Sequence, residues 1–181
     1  MKYWPVPDSY SKNIPLNGPG SFAEDRGDRH HSGVDIYASK GSVVVSIEDG
    51  IVVAEDIFTT PGKNPYWFMT RFVAIKNGSG QICKYCELED VSVKRGDKVK
   101  GGQVIGHVGS VLDFNNIDQG SPLYIQKMKE SGVKSMLHFE LYAKGPVVFE
   151  NYCGGNCFSS GLPDNLLDPT EYLLSIAKSN A

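Results

Sequence analysis

Histidines and carboxylates carry most of the chemistry that this sequence could perform. His31 and Asp35 lie four residues apart, and an imidazole nitrogen paired with a carboxylate oxygen is a common first half of a zinc site. A catalytic zinc ion takes three protein ligands and keeps one position open for water. The third ligand must come from another part of the chain, where the remaining candidates are His107 and His138.

The elements around these residues decide which histidine suits the site. In an extended strand His31 and Asp35 would be about 13 Å apart, so the chain must bend between them, and Ser32-Gly33 allows a bend. His138 lies on the polar face of a strand-like stretch whose other face is apolar. His107 lies near two glycines in a turn-like setting. We therefore favour His138 as the third ligand, although a lone histidine can also serve only as a structural hydrogen-bonding group.

The pattern of short apolar stretches divided by glycine turns predicts an antiparallel all-β sandwich or barrel-like core. Asp49-Gly50 between two β-branched runs, at 42–47 and 51–55, predicts a hairpin, and Asn77-Gly78 predicts a second. In the stretch 135–142, the even positions are expected on a polar face and the odd positions on the core face.

The length of 181 residues suits one domain over 1–181. Residues 1–30 are rich in Pro, Gly, Ser, Asn and Asp, and predict an irregular N-terminal arm. Residues 110–134 interrupt the strand pattern and predict an insertion formed by a loop or a short helix. A short helix is also expected after Asp168-Pro169.

The charge balance argues against two classes of partner. The net charge is −3, from 18 Lys+Arg and 21 Asp+Glu, which is not the clustered basic charge of a nucleic-acid-binding protein. No run approaches the roughly 20 apolar residues of a membrane span. Residues 1–5 lack the apolar core of a signal peptide, so the sequence leaves the compartment open.

The four cysteines form the pairs Cys83/Cys86 and Cys153/Cys157. An offset of three in a strand places Cys83 and Cys86 on opposite faces, which argues against a zinc knuckle. A four-cysteine zinc site, a Cys153–Cys157 disulfide in an oxidising compartment and free thiols are the three interpretations.

Several motifs together carry a family resemblance. The run His31-Ser32-Gly33-Val34-Asp35 resembles the H-x-G-x-D motif of lysostaphin/LytM-type zinc metallopeptidases. Residues 137–141 are similar to the second half of the family's H-x-H-F-E strand, and residues 85–88 fall where the family has Y-x-H-L. Residues 93–106 are similar to its glycine-punctuated hairpin. The resemblance covers nearly the whole chain apart from roughly residues 110–134.

The resemblance implies an antiparallel fold of the duplicated-hybrid-motif type with a zinc cleft. By position in the motifs, it implies that His31, Asp35 and His138 bind Zn²⁺. It further implies an endopeptidase that hydrolyses peptide bonds in bacterial cell-wall peptidoglycan, often at glycine-containing links, in the periplasm or outside the cell.

The departures from the family fall on its two catalytic histidines. Glu87 stands in place of the histidine of Y-x-H, and Met136 in place of the first histidine of H-x-H. Met136 cannot shuttle protons, whereas a carboxylate serves as the general base in other zinc peptidases. Glu87 is therefore the candidate catalytic base. Tyr85 is expected on the same strand face, either to assist Glu87 or to pack as an aromatic.

Three functions remain open. The first is an atypical zinc peptidase that uses Glu87. The second is a catalytically inactive relative that binds metal, cell-wall peptide or a partner protein. The third is a biotinyl or lipoyl carrier, because Gly96-Asp97-Lys98-Val99 resembles a carrier hairpin and Lys127-Met128 superficially offers the modified lysine. His30 is interpreted as solvated surface, with a ligand or substrate contact as alternatives.

Overall fold

The computed structural model describes residues 1–158 and 161–179. These residues are mostly β, with antiparallel strands and two short α-helices, and the sheets that they form do not close into a barrel. The predicted all-β fold class is therefore confirmed. The strands and helices follow one another in this order: β1 (Arg29–His31), β2 (Val34–Tyr37), β3 (Val43–Val45), β4 (Gly50–Thr59), β5 (Thr70–Asn77), β6 (Ile82–Val91), β7 (Lys98–Val99), β8 (Val104–Val108), α1 (Leu123–Ser131), β9 (Met136–Tyr142), β10 (Tyr152–Cys153), β11 (Asn156–Phe158), β12 (Leu166–Leu167) and α2 (Thr170–Ser179).

Two sheets organise the described residues. A nine-stranded sheet has the order β12-β9-β6-β5-β4-β7, with β2 added beside β9, and β8 pairing with both β6 and β3. A small sheet has the order β1-β11-β10. The chain leaves the small sheet after β1 and enters the large one at β2, which is the change of direction that the candidate site needs.

The predicted hairpin at Asp49-Gly50 is wrong. β3 pairs with β8, while β4 pairs with β5 and β7. Gly50 is the first residue of β4 and lies opposite Asn77. A side chain at this position would meet Ile75 and the carbonyl oxygen of Lys76. The glycine therefore reflects close packing of β4 on β5 and not a two-residue turn.

The second predicted hairpin exists, with a longer connection. β5 ends at Asn77 and β6 begins at Ile82, and the Asn77 amide donates to the carbonyl oxygen of Gln81. The left-handed residue in this connection is Gly80, with φ +90°, whereas Gly78 does not have a positive φ. The Asn77 side chain accepts from the Ser79 amide, which stabilises the four-residue connection.

β9 is buried along its whole length. Leu137, Phe139 and Leu141 pack in the main hydrophobic core, as the alternation predicted. The opposite face carries His138 and Glu140, as expected, and it is buried as well, since these two residues are 1% and 0% exposed. Polar groups buried in this way need partners, and these partners build the site described below.

The predicted insertion contains a 3₁₀ turn at Phe114–Asn116 and the helix α1. Ile117 and Ile125 pack with Tyr66, Trp67 and Leu112 in a small hydrophobic cluster of their own. The insertion closes at its base through a bridge between Ser110 and Ser135. No helix formed by the described residues is long and apolar enough to span a lipid bilayer. That 1–181 fold as one domain stays a prediction.

The cysteines are free thiols. Cys83 packs in the main core and Cys86 in a second cluster that includes Phe72 and Tyr142, as expected for opposite faces of one strand. Among the described residues, the group of side chains that could hold a metal contains no cysteine.

Candidate metal centre

Strand pairing brings the three candidate ligands together. His31 ends β1 in the small sheet, and Asp35 lies in β2 of the large sheet. Asp35 is the direct cross-strand partner of His138 in β9. All three side chains are buried, at 1% exposure for His31, 5% for Asp35 and 1% for His138.

The three side chains point one atom each at a common centre. His31 Nε2 is 2.9 Å from His138 Nδ1 and 3.2 Å from Asp35 Oδ1, and His138 Nδ1 is 3.0 Å from Asp35 Oδ1. Ligand atoms 2.0–2.1 Å from a tetrahedral zinc ion are about 3.3 Å apart. The observed triangle is therefore slightly contracted from one face of a zinc tetrahedron, and the donor set of two imidazoles and a carboxylate fits zinc chemistry.

Each histidine is oriented through its other ring nitrogen. His31 Nδ1 donates to the carbonyl oxygen of Ser21 at 2.8 Å, which leaves the Nε2 lone pair at the centre. His138 Nε2 donates to Glu140 Oε1 at 2.9 Å, which leaves Nδ1 there. Such partners fix the tautomer and the ring orientation of metal-binding histidines.

Glu140 sits in a fully buried polar network. Its carboxylate accepts from Ser32 Oγ at 2.5 Å, Tyr142 OH at 2.8 Å and Tyr152 OH at 2.7 Å. Lys84, its cross-strand partner in β6, places Nζ 3.0 Å away with 0% exposure for both side chains. The lysine neutralises a carboxylate that would otherwise be very costly to bury.

Two glycines pack against the His138 ring. A Cβ atom on Gly33 would lie 2.9 Å from His138 Cε1 and would also collide with the carbonyl oxygen of Phe139. A Cβ atom on Gly155 would lie 2.9 Å from the same ring atom. Gly33 does not have a positive φ. Its role in the motif is therefore to leave room for His138, in addition to lying where the chain changes sheets.

Burial and mutual contact set the charges of the candidate ligands. Burial lowers the pKa of His31. Burial favours neutral His138, but its hydrogen bonds to Asp35 and Glu140 outweigh this and raise its pKa to about 9. Against the opposing effect of burial, the two imidazoles hold the pKa of Asp35 well below its usual range. Without a metal, His138 therefore carries a proton on Nδ1 that faces the Asp35 carboxylate, and a cation bound at the centre would take the place of that proton.

Glu87 lines the same cavity as the candidate ligands. It is 7% exposed, and its Oε2 has no hydrogen-bond partner among the described residues. Burial, followed by the nearby Asp35 charge, raises the pKa of Glu87 to about 8. A buried carboxylate oxygen without a partner is expensive, which suggests that a water molecule or ligand normally contacts it.

A β-bulge aims Glu87 into the cavity. Its φ is +66°, which is rare for a residue other than glycine. The pairing of β5 with β6 shifts between the partners of Tyr85 and Leu88, so β6 has one extra residue here. Tyr85 consequently packs in the main core, where its hydroxyl accepts from the Ile47 amide. The expectation that Tyr85 and Glu87 share a face is wrong.

The cavity is closed by the insertion. Tyr124, Ile125 and Met128 of α1 line it together with Trp67. Its volume is about 30 Å³, which accommodates one or two small groups such as a metal ion and a water molecule but not a peptide. Met136, which stands in place of the first histidine of the family's H-x-H motif, also lines this cavity and is 2% exposed.

The other two histidines lie away from the cavity. His107 is in β8, where its Nδ1 is 2.9 Å from Asp90 on the protein surface. His30 lies in β1 opposite Cys157 and does not line the cavity. Of the two histidines considered as third ligand, the structure brings His138 and not His107 to the cavity, and the role of His138 as a metal ligand stays a prediction.

The sequence model of peptidase family M23 matches residues 29–149, about two thirds of the chain, and these residues include all three candidate ligands. The chain belongs to peptidase family M23. It is thereby a member of a family of hydrolases. The lysostaphin/LytM-type resemblance is confirmed.

Solved structures of peptidases share the fold. The antimicrobial peptidase lysostaphin from Staphylococcus simulans matches with a TM-score of 0.57 and 21% identity, over 98% of this chain and 56% of that chain. A zinc-containing peptidase from Vibrio cholerae matches with a TM-score of 0.50 and 22% identity, over 90% of this chain and 41% of that chain. The chain thus spans only about half the length of these structures.

Two parts of the site were missed by sequence reasoning. Lys84 carried a signal, because a lysine inside the apolar run Ile82-Cys83-Lys84-Tyr85-Cys86 is unusual unless it is paired. Arg26, which also lines the cavity, carried none, since it lies in the irregular arm without any periodic pattern.

Proposed function

We propose that this M23 protein is a zinc metallopeptidase that hydrolyses peptide bonds in bacterial cell-wall peptidoglycan, in the periplasm or outside the cell. His31 Nε2, Asp35 Oδ1 and His138 Nδ1 would hold the zinc ion. The observation that carries the proposal is the convergence of these three atoms within 3.2 Å of one another. Zinc, when bound, would polarise the scissile carbonyl and lower the pKa of water.

In this proposal, Glu87 acts as the general base. Its unpartnered Oε2 would accept a proton from the attacking water and later deliver that proton to the leaving amine. A positioned base of this kind contributes roughly 10²–10⁴ in rate. The raised pKa of Glu87, about 8 without a metal, suits proton transfer near neutral pH, because a base works best when its pKa is close to the working pH.

Peptide hydrolysis requires the cavity to open. A substrate peptide reaches the centre only if α1 moves away, since Tyr124, Ile125 and Met128 close the cavity. The hydrogen bonds of the Gln126 and Lys129 side chains stay within the insertion, so the insertion can move as a unit, and α1 with it, without breaking them.

The closed cavity favours a second candidate, a non-catalytic relative that binds zinc and presents its surface to cell-wall peptide or a partner protein. Met136 supports it, because a thioether cannot supply the proton donor that the family places there.

A digest of a glycine-rich cell-wall peptide separates the two candidates. Zinc-loaded wild type is expected to release amine termini, and Glu87→Gln to lose at least 100-fold in kcat while keeping its zinc. Glu89→Gln is the matched control, because Glu89 lies two residues away at the surface, paired with Lys40. If the wild type releases no product, the non-catalytic candidate is favoured, and equal product from wild type and Glu87→Gln means that Glu87 is not the base.

A further inference from the structure

Arg26 brings a permanent positive charge to the cavity. Among the described residues that line it, Arg26 is the single Arg or Lys. Its side chain is 8% exposed, and its Nη2 lies 4.0 Å from Asp35 Oδ2, the oxygen that does not face the other two ligands. The positive charge of the guanidinium therefore lies beside the candidate metal centre.

The guanidinium is held rigidly, with N–H groups to spare. Its Nε and Nη2 contact Glu24 Oε2 at 3.0 and 2.8 Å, and Nη1 donates to Asn156 Oδ1 at 3.0 Å. A guanidinium has five N–H donors, so these contacts occupy at most three of them. The Tyr124 ring of α1 covers one face of the group at 4.5 Å. Movement of α1 would therefore uncover Arg26 together with the metal centre.

The peptidase reaction needs a donor at the oxyanion, and neither Glu87 nor Met136, which stand in place of the two family histidines, supplies one. Attack of water forms a C–O bond, passes one water proton to the Glu87 carboxylate, and moves the carbonyl π electrons onto oxygen. The resulting oxyanion needs positive charge or N–H donors. An ionised Glu87 is only an acceptor and Met136 has no donor. Collapse then breaks the C–N bond, and the Glu87 proton goes to the amine.

We propose that Arg26 is a catalytic residue that donates to the tetrahedral oxyanion, in place of the absent histidine donors. The proposal rests on the proposed function for the chemistry, but the anion site itself does not. Arg29 offers a matched control for Arg26, because it does not line the cavity. Its guanidinium stacks on Phe158 at 4.3 Å and binds the exposed Asp28.

Binding of inorganic phosphate to the zinc-loaded protein tests the anion site directly, since phosphate presents oxygens in a tetrahedral arrangement. Isothermal titration calorimetry of wild type is expected to show one site. Phosphate reaches Arg26 when α1 moves away, and Arg26→Met is expected to raise its Kd by about 10- to 100-fold, the range for one charge-assisted hydrogen bond, with one zinc per chain retained. Arg29→Met is expected to leave the Kd unchanged. If the phosphate is an adventitious ion only, wild type and Arg26→Met will have the same Kd, and this result overturns the proposal. The absence of phosphate binding by wild type also overturns it.

Two further arms keep the test decisive. If Arg26→Met does not fold because the Glu24 carboxylate loses its counter-charge, the double variant Arg26→Met/Glu24→Met removes both charges, and the same increase in phosphate Kd is expected of it. In the peptide digest, Arg26→Met is expected to lower kcat with little change in KM, as for an interaction made only in the transition state. A wild type that binds phosphate through Arg26 but hydrolyses no peptide refutes the proposed function and leaves the anion site standing.

Discussion

Glu87 should make the metal-free protein lose stability as pH rises. The side chain is buried with an unpartnered oxygen, and burial together with the Asp35 charge raises its pKa from 4.5 to about 8. Between these two values the folded protein keeps a proton that the unfolded chain has released. The free energy of unfolding therefore falls by about 1.4 kcal/mol per pH unit at this site.

The change in the free energy of unfolding, summed over this pH range, gives the expected size of the Glu87 effect. The stability contributed by protonated Glu87 is fully present below pH 4.5, is lost as pH rises to about 8 and is constant above that. The loss amounts to roughly 5 kcal/mol, as an upper limit. Glu87→Gln cannot ionise and does not undergo this loss. Its stability relative to wild type should therefore improve steadily between pH 5 and pH 8.

Urea denaturation of chelator-treated protein at pH 5, 6, 7 and 8 measures this difference. Other groups that titrate, including His138, are present in both proteins and largely cancel in the comparison. Glu89→Gln serves as the control, because Glu89 lies two residues away at the surface, where its ion pair with Lys40 contributes little to stability. A Glu87→Gln difference that does not change with pH would refute the assignment of Glu87 as a buried, proton-holding carboxylate.

Three further substitutions test the surroundings of the centre. Glu140→Gln should weaken zinc binding by about 10- to 100-fold, measured by competition with a chelating dye, because the His138 ring loses its anionic partner. Lys84→Met should destabilise the protein by about 3–5 kcal/mol in urea denaturation, because it leaves the Glu140 carboxylate buried without its counter-charge. Ile125→Ala should speed both zinc removal by EDTA and peptide hydrolysis, because it loosens the helix that closes the cavity, whereas Leu123→Ala on the exposed side of the same helix should change neither.

The sequence predicts the local features of this fold better than it predicts which strands pair. Period-two alternation located β9 and its core-facing residues, because that pattern is a property of one strand. It could not show that the opposite face is also buried, since a polar residue looks the same whether it meets water or a buried partner. Lys84 illustrates the point, because only the pairing of β6 with β9 brings it to Glu140. The same limit explains the wrong hairpin at Asp49-Gly50.

The sequence predicts those residues of the candidate site that belong to recognisable motifs. The spacing of His31 and Asp35 required a bend, and the structure provides it by placing them in different sheets. The direction of the Glu87 side chain depends on a β-bulge that shifts the strand register. The periodicity of the strand residues contains no sign of such a bulge. The closure of the cavity by α1 depends on tertiary packing of an insertion.

The zinc content of the purified protein tests the central claim most directly. Protein grown with zinc and purified without chelator is expected to contain about one zinc per chain by elemental analysis, and His138→Ala, which removes a ligand from the triangle of His31, Asp35 and His138, is expected to contain almost none. Wild-type protein that is metal-free, or a His138→Ala variant that keeps its full zinc, would contradict the account.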